Sequence, residues 1–480
     1  MKLGLVVLDT LRHDAFEDEM SDLASLADHT FEEMHSTSRW TVPAHSSLFT
    51  GLYPSEVGVG ARRRHLTTTR RTLAERLREA GFDTAALSNN VHIDSFFDFD
   101  RGFEALHRGP ALRDRPETDR SEFDWEELFS LLDGSRFRPG RAVWEILKSD
   151  APTLPTLRTG VEMFRSPPVN EETNDLGWAF DAMAAIEERA ADDARGTGTE
   201  SGSATEGRTG TGSESDTGDD STDRFVFANL MACHYPYAPP DGYCERDSLD
   251  VRPHELTLRE EPVSDDEHAR HWENYRGAAR YLDDELPDLL GEDWDLLFVV
   301  SDHGELFGEH GLRGHEYGVY DELVRVPAVA LGDAVPEGTT TEVTSLLDVH
   351  RTLLEVVGVD LPDDVRGRNL FEDDLSDRAV YAESSGCGHY SPDATGVAAK
   401  IPASWDEPHY LLRTDDAALR VDKDGERAFD PETGDSLPDR AADLRERAER
   451  LRETRADHAG EEGGEVTDEV AERLEQLGYA

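Results

Sequence analysis

The chain has 480 residues, with 49 basic and 104 acidic side chains, a formal charge of −55 at neutral pH and 37% hydrophobic residues. That length admits a sizeable core and roughly two to four domains, or one large α/β domain with an appendage. The acid excess runs along the whole chain and the cations are almost all arginine, with lysine only at Lys2, Lys148, Lys400 and Lys423; this excludes a basic patch for nucleic-acid phosphates or anionic lipid, and suits a surface solvated at high salt.

The first element is a strand over Leu3–Leu8, ended by Asp9. It meets charge too early for a signal peptide or membrane span, and no other stretch reaches ~18 apolar residues, so a soluble cytoplasmic protein is expected. The segment Trp40–Gly51 carries the signs of a helix, with Thr41 at or near its cap, Pro43 in the first turn and Gly51 past its end. Arg62-Arg63-Arg64 follows as a cationic run in an acidic chain, fitting either a site entrance or a solvated loop. A helix over Thr72–Ala80 leads to a strand over Thr84–Leu87 that ends in Ser88-Asn89-Asn90, and a helix is expected over Thr173–Asp192. Residues 196–222 form a Gly/Ser/Thr/acidic tract with the composition of a disordered insertion. Next come a strand over Phe225–Met231 ending near His234, a helix over Glu267–Leu290, a strand over Leu296–Val300 ending in Ser301-Asp302-His303, and a helix over Leu346–Val357. Three cysteines, Cys233, Cys244 and Cys387, give neither a disulfide framework nor a zinc knuckle.

Short, continuous apolar strands alternating with helices predict an open, mostly parallel sheet sandwiched by helices over residues 1–375. The pattern changes near residue 376. Strands over Val380–Glu383, His409–Arg413 and Ala418–Val421, a turn at Asp430–Gly434 and charged helices near Ala441–His458 and Glu465–Leu477 predict a small α+β subdomain over 376–480. In open α/β sheets ligands bind beyond the carboxyl ends of the strands, where Asp9, Asn90, His234, Asp302 and His303 fall.

Asp302-His303-Gly304-Glu305 offers a carboxylate and an imidazole to one cation, with glycine allowing a tight turn beside them. Asp9, directly after a buried strand, needs a partner, and a helix N-cap or a metal each satisfies that need. Thr41 at a helix start has backbone N–H groups beside it that favour an attacking alkoxide and an anionic substrate. Threonine is a poor nucleophile unless a base or metal activates it.

These pieces, in this order, resemble the sulfatase family of the alkaline phosphatase superfamily over roughly residues 2–375. The resemblance rests on the first strand with Asp9-x-Leu11-Arg12, on Thr41-Val-Pro-Ala-His45 with Thr50-Gly51-Leu-Tyr-Pro, and on Asn89-Asn90 with Gly102-Phe103. It extends through His234-Tyr-Pro-Tyr, Ser301-Asp-His-Gly-Glu with Gly308-Glu-His-Gly, Arg325-Val-Pro, Asp348 with Leu353-Leu354 and Gly358, and the ending Arg473–Tyr479. It implies an alkaline-phosphatase-like fold and a metal-dependent hydrolase of sulfate or phosphate esters. One divalent cation (Mn, Ca, Mg or Zn) would be held by Asp9, Thr41, Asp302 and His303, and Thr41 would form a covalent intermediate. His45, His234 and His315 would act on the anion or the leaving oxygen, with Asn90 among the substrate contacts; a structural role stays open for each histidine and for His310. Thr41 stands where sulfatases carry the cysteine or serine that becomes formylglycine, and His45 where they carry arginine. That departure looks more like the phosphoesterase and phosphoglycerol-transferase branches, so a phosphoryl transferase or phosphosugar mutase is the alternative. The mutases need a second Asp/His/His set, and Asp250 with His254 is read as loop. The partner is a small-molecule or glycan ester.

Overall fold

The first strand, Lys2–Leu8, is flanked by two others in parallel, Arg224–Leu230 and Leu296–Val300. The computed structural model describes residues 1–112, 175–197, 223–386 and 403–462 apart from 62, 250, 260 and 292, together with Lys148. The glycine-rich tract, the last helix with the Arg473–Tyr479 ending, Arg62 and Cys387 lie outside or almost outside those residues.

Eight strands make the main sheet. Asp83–Ser88 and Ala105–Arg108 extend it beyond Arg224–Leu230, again in parallel. On the other side, Ala328–Leu331 runs antiparallel between Leu296–Val300 and His29–Phe31, and Gly338–Thr340 closes that edge. Burial on both faces explains the continuous apolar runs. Leu3, Leu5 and Val7 face one core layer with Val42, Leu48 and Phe49 of the helix Thr41–Thr50 and Val349 and Leu353 of the helix Leu346–Glu355. Val6 and Leu8 face the other, with Trp178, Ala182 and Ile186 of the helix Gly177–Thr197 and Tyr275, Leu282 and Leu286 of the helix Asp265–Leu290. This is the α/β sandwich expected of an alkaline-phosphatase-like chain.

A second, antiparallel sheet joins Val380–Ser384, His409–Arg413, Ala418–Asp422 and Gly425–Phe429 in sequence order. The predicted turn follows it, with Gly434 N–H bonded to the Asp430 carbonyl at 2.8 Å. Leu444 and Ala448 of the helix Ala441–Glu462 pack on Leu412, Leu419 and Ala428. The segment around His254 is not loop: Pro253 begins the short helix Pro253–Thr257, where its missing N–H costs nothing, and His254 Nδ1 lies 2.8 Å from Glu316 Oε1. Among the described residues no helix is long and apolar enough to cross a membrane.

Candidate metal centre and active site

Four adjacent parallel strands deliver the site. Asp9 follows the first strand, Asn90 follows Asp83–Ser88, Asn229 lies near the end of Arg224–Leu230, and Asp302 and His303 follow Leu296–Val300. Each apolar run stops where the chain leaves the core, so polar side chains gather at one edge of the sheet although far apart in sequence.

One donor atom each from Asp9, Asp302 and His303 lies within 4.8 Å of the others, and all three residues are fully buried. His303 Nδ1 is 2.8 Å from the Gly304 carbonyl, which can only accept, so the proton sits on Nδ1 and Nε2 keeps its lone pair. That lone pair faces Thr41 Oγ1 at 3.2 Å, Asp302 Oδ2 at 3.6 Å and Asp9 Oδ1 at 3.9 Å. Separations of this size are what bonds of about 2.0–2.6 Å to a common ion leave between neighbouring ligands.

The charges ask for a cation. Burial and then the Asp9 charge push the Asp302 carboxyl well above the usual range. Its Oδ2 is buried without a hydrogen-bond partner. Burial also works against ionised Asp9, but His234, His303, His45 and the Thr10 hydroxyl outweigh it and hold the group at about 2. Asp9 accepts from Thr10 Oγ1 at 2.8 Å, Asn90 Nδ2 at 2.7 Å and Asn229 Nδ2 at 3.2 Å. A buried, unpartnered carboxylate oxygen between an ionised carboxylate and an imidazole lone pair fits a divalent ion. Two carboxylates with one imidazole suit Mn, Mg or Zn, and Ca less strictly.

Thr10 binds the two carboxylates together. It adopts φ +68°, unfavourable for a β-branched residue, and its N–H reaches Asp302 Oδ1 at 3.2 Å. The Tyr275 hydroxyl holds this bend by accepting from Arg12 N–H at 2.7 Å and donating to the Thr10 carbonyl at 2.9 Å. Gly304 is required for a different reason: a Cβ there would sit 2.1 Å from the Glu322 carbonyl oxygen.

Thr41 is the first residue of its helix, with Trp40 as the cap. Two of the residues expected at the anion are bonded within the protein. His45 donates from Nδ1 to the Thr41 carbonyl at 3.0 Å, and its Nε2 lies 3.2 Å from Asn229 Nδ2. Burial, only partly opposed by Asp9 and the Thr41 carbonyl, lowers its pKa to about 4. His45 thus braces the first turn of the helix that Thr41 begins. Asn90 is also engaged: its amide donates to Asp9 and its oxygen takes the His92 N–H at 2.8 Å, so it orients the Asp9 carboxylate.

His315 and His234 do stand at the cluster. The His315 ring is 4.6 Å from that of His303 and 5.6 Å from that of His234. Burial alone would lower the His315 pKa, but Glu305 and Glu316 outweigh it and raise it to about 9, so the ring is cationic at neutrality. Glu305 Oε1 is 3.1 Å from His315 Nδ1, and its Oε2 accepts from the Tyr237 hydroxyl at 2.7 Å. His234 donates from Nδ1 to the Tyr235 carbonyl at 2.6 Å, leaving Nε2 unprotonated in the neutral ring. His310 instead stacks flat on Tyr320, 4.0 Å between centroids, and pairs with Glu322.

The sulfatase family profile matches residues 5–359, nearly three quarters of the chain. The chain belongs to the sulfatase family. A human arylsulfatase K is 34% identical over 76 residues, 16% of this chain and 14% of that protein. The low-salt glycan biosynthesis sulfotransferase Agl7 of Haloferax volcanii is 38% identical over 80 residues, 16% of this chain and 20% of that one. The matched stretch therefore spans only a seventh to a fifth of these curated relatives' lengths. The fold extends much further: a phosphonate monoester hydrolase from Silicibacter pomeroyi superposes at TM-score 0.61 with 18% identity, covering 95% of each chain. Another from Agrobacterium radiobacter gives 0.59 at 18% identity, covering 95% of this chain and 96% of that one.

Proposed function

We propose that this sulfatase-family protein is a metal-dependent hydrolase of sulfuric or phosphoric esters with Thr41 as nucleophile. The observation that carries this reading is the Thr41 hydroxyl, at the first turn of its helix and 3.2 Å from His303 Nε2, beside the Asp9/Asp302/His303 cluster. A divalent cation held by these residues would neutralise charge developing on the ester's non-bridging oxygens. Thr41 Oγ1 attacks phosphorus or sulfur in line, its proton passing to solvent water, while the bond to the leaving oxygen breaks. The helix N-terminus stabilises the attacking oxyanion. Cationic His315 protonates the departing alkoxide or phenoxide. Water then displaces Thr41 and releases inorganic phosphate or sulfate, or a monoester or phosphonate from the corresponding diester.

A threonine cannot be converted to formylglycine, which supports phosphorus over sulfur esters. Release to an acceptor alcohol, as a phosphoryl or phosphoglycerol transferase, is the second reading, since the same covalent intermediate would serve it. A single converging set of metal-capable side chains among the described residues favours either over a mutase. The test is a panel of aryl sulfate, phosphate, phosphodiester and phosphonate with several metals at molar KCl. Wild type should turn over the phosphorus esters faster, and Thr41→Ala should lose about 10³-fold or more. Faster aryl sulfate hydrolysis overturns the preference; an unchanged Thr41→Ala variant overturns the nucleophile.

A further inference from the structure

The helix that Thr41 begins is entered through residues 37–40, which are bonded to the second sheet. Glu383 N–H donates to the Thr37 carbonyl at 2.9 Å, and Ser38 Oγ donates to the Glu383 carbonyl at 2.8 Å. Thr37 Oγ1 also donates to Ser47 Oγ at 2.8 Å, within the helix Thr41–Thr50 itself. Between these anchors and Thr41 stands Arg39, which is only 4% exposed. Its Nε donates to Ser384 Oγ at 3.0 Å, one terminal nitrogen donates to the Gly386 carbonyl at 2.9 Å, and the other donates to the His315 carbonyl. One side chain, two residues before the nucleophile, thus grips both the second sheet and the backbone of His315.

His315 needs such a hold. Residues 315–320 lie in no helix or strand, and the strand Arg313–Gly314 that leads into them is two residues long. Glu305 fixes the ring at Nδ1, at 3.1 Å, and Arg39 fixes the carbonyl. Thr41 and His315 both stand against His303: Thr41 Oγ1 is 3.2 Å from its Nε2, and the His315 ring is 4.6 Å from its ring. A planar guanidinium with five donors can serve three acceptors on two separate segments at once, which the single ammonium of lysine cannot do in the same geometry. Its charge is matched by Glu316, the residue after His315. Burial opposes ionisation of that carboxylate, but His315, His254 and Arg39 outweigh it and hold the group below its usual range.

We propose that Arg39 is a positioning residue that sets where the Thr41 hydroxyl stands relative to the His315 imidazole. It does so through the His315 carbonyl on one side and the short backbone connection to Thr41 on the other. The second sheet, through Ser384 and Gly386, then helps to hold the reacting groups. This rests on the hydrolase reading above, in which Thr41 attacks and His315 protonates the leaving oxygen.

The experiment takes the full-length, Mn-loaded protein as wild type, Arg39→Lys and Arg39→Gln, and measures kcat and KM for phenyl phosphate and para-nitrophenyl phosphate. The phenolate needs a proton to depart, whereas the nitrophenolate leaves well without one. Arg39→Lys keeps the charge and loses the fork. It should lower kcat about 100-fold for the phenyl ester and about tenfold for the nitrophenyl ester, with KM changed less than about threefold. Arg39→Gln, which loses the charge as well, should lower both further with the same skew. Equal losses for the two esters, a loss carried by KM, or no loss overturns the assignment, because an arginine that only stabilises the fold would affect both esters alike. Crystal structures of wild type and Arg39→Lys read the tether without turnover: His315 should shift by about 1 Å relative to Thr41, and an unmoved pair overturns the proposal. If wild type hydrolyses neither ester, the hydrolase reading fails by itself, and the crystal structures still decide whether Arg39 holds the two groups in place.

Discussion

At the residue scale the centre is a conflict of charge held in place by hydrogen bonds. Asp9 is satisfied by three donors, while Asp302 Oδ2 has none and its carboxyl is driven up by burial and by Asp9. Without a cation the pair can relieve that conflict only by taking up a proton. Asp302→Asn removes one of the two charges and keeps the shape. It should therefore weaken divalent-ion affinity by at least ~100-fold while leaving the metal-free protein as stable as wild type or more so. Calorimetric titration and melting in chelator measure the two effects separately; an Asn variant that melts well below chelated wild type contradicts this view of the cluster.

His315 supplies the pH dependence. Its pKa is raised to about 9 by Glu305 and Glu316 against the cost of burial, so it is charged through neutrality. The stability this charge contributes is complete below the unfolded value of ~6.5 and is lost as pH rises through the folded value. In the mechanism proposed above the same proton is the one offered to the leaving oxygen, so activity should fall on the alkaline side. A cation at His303, whose ring is 4.6 Å away, repels that proton, so the alkaline limb of the metal-loaded enzyme should lie below the midpoint of the metal-free protein. NMR titration of His315 without metal should centre near 9. Glu305→Gln should lower both the NMR midpoint and the kinetic limb; a midpoint unmoved by Glu305→Gln would remove the carboxylate from this role.

At the element scale, the long strands were legible because burial on both faces forces continuous apolar runs, and their ends because Asp9, Asn90 and Asp302 break them. Strands of two or three residues, such as His29–Phe31 and Met34–His35, carry too few side chains for any period. The antiparallel Ala328–Leu331 is apolar but only four residues long and directly follows Arg325-Val-Pro, too short for its pairing to show in the pattern. Asn229 went unread because it is one polar residue inside Arg224–Leu230, where only the register beside Val7 shows that it reaches Asp9. Thr10 was hidden in the same way, its positive φ having no signature in a β-branched residue. Asp348 was legible as a motif residue but not in its use. It caps its own helix through Ser345 N–H at 2.7 Å, accepts Arg368 N–H at 2.7 Å and takes a two-pronged contact from Arg378 at 2.7 and 2.9 Å. The pair is buried and lies where the chain passes from the main sheet toward the second one. Arg378→Ala leaves that carboxylate uncompensated and should cost about 3–5 kcal/mol in denaturant unfolding without changing metal affinity. A loss below ~1 kcal/mol would mean the backbone donors alone suffice.

At the scale of the whole molecule, the fold must hold together against 55 uncompensated negative charges. Its many exposed ion pairs cannot do this. Arg246 with Glu273, at 2.6 Å, is wet on both sides, and pairs of this kind contribute roughly 0–1 kcal/mol, less as salt rises. The opposing term is larger in sum, because like charges spread over one surface repel over a Debye length of about 10 Å at 0.1 M salt, which contracts to about 3 Å at 1 M. Salt therefore weakens attraction and repulsion together, but with 104 acids and 49 bases the like-sign pairs outnumber the opposite-sign ones. Buried contacts such as Arg378 with Asp348 and the two apolar layers are screened far less and persist. The melting temperature should consequently rise by several degrees between about 0.1 M and about 2 M KCl, with KCl and NaCl acting alike if screening is the cause. Circular dichroism melts across that range measure it. A flat or falling curve would show that attraction among surface pairs, rather than repulsion, dominates the electrostatic balance, and would remove the physical basis for reading the acidic surface as an adaptation to salt.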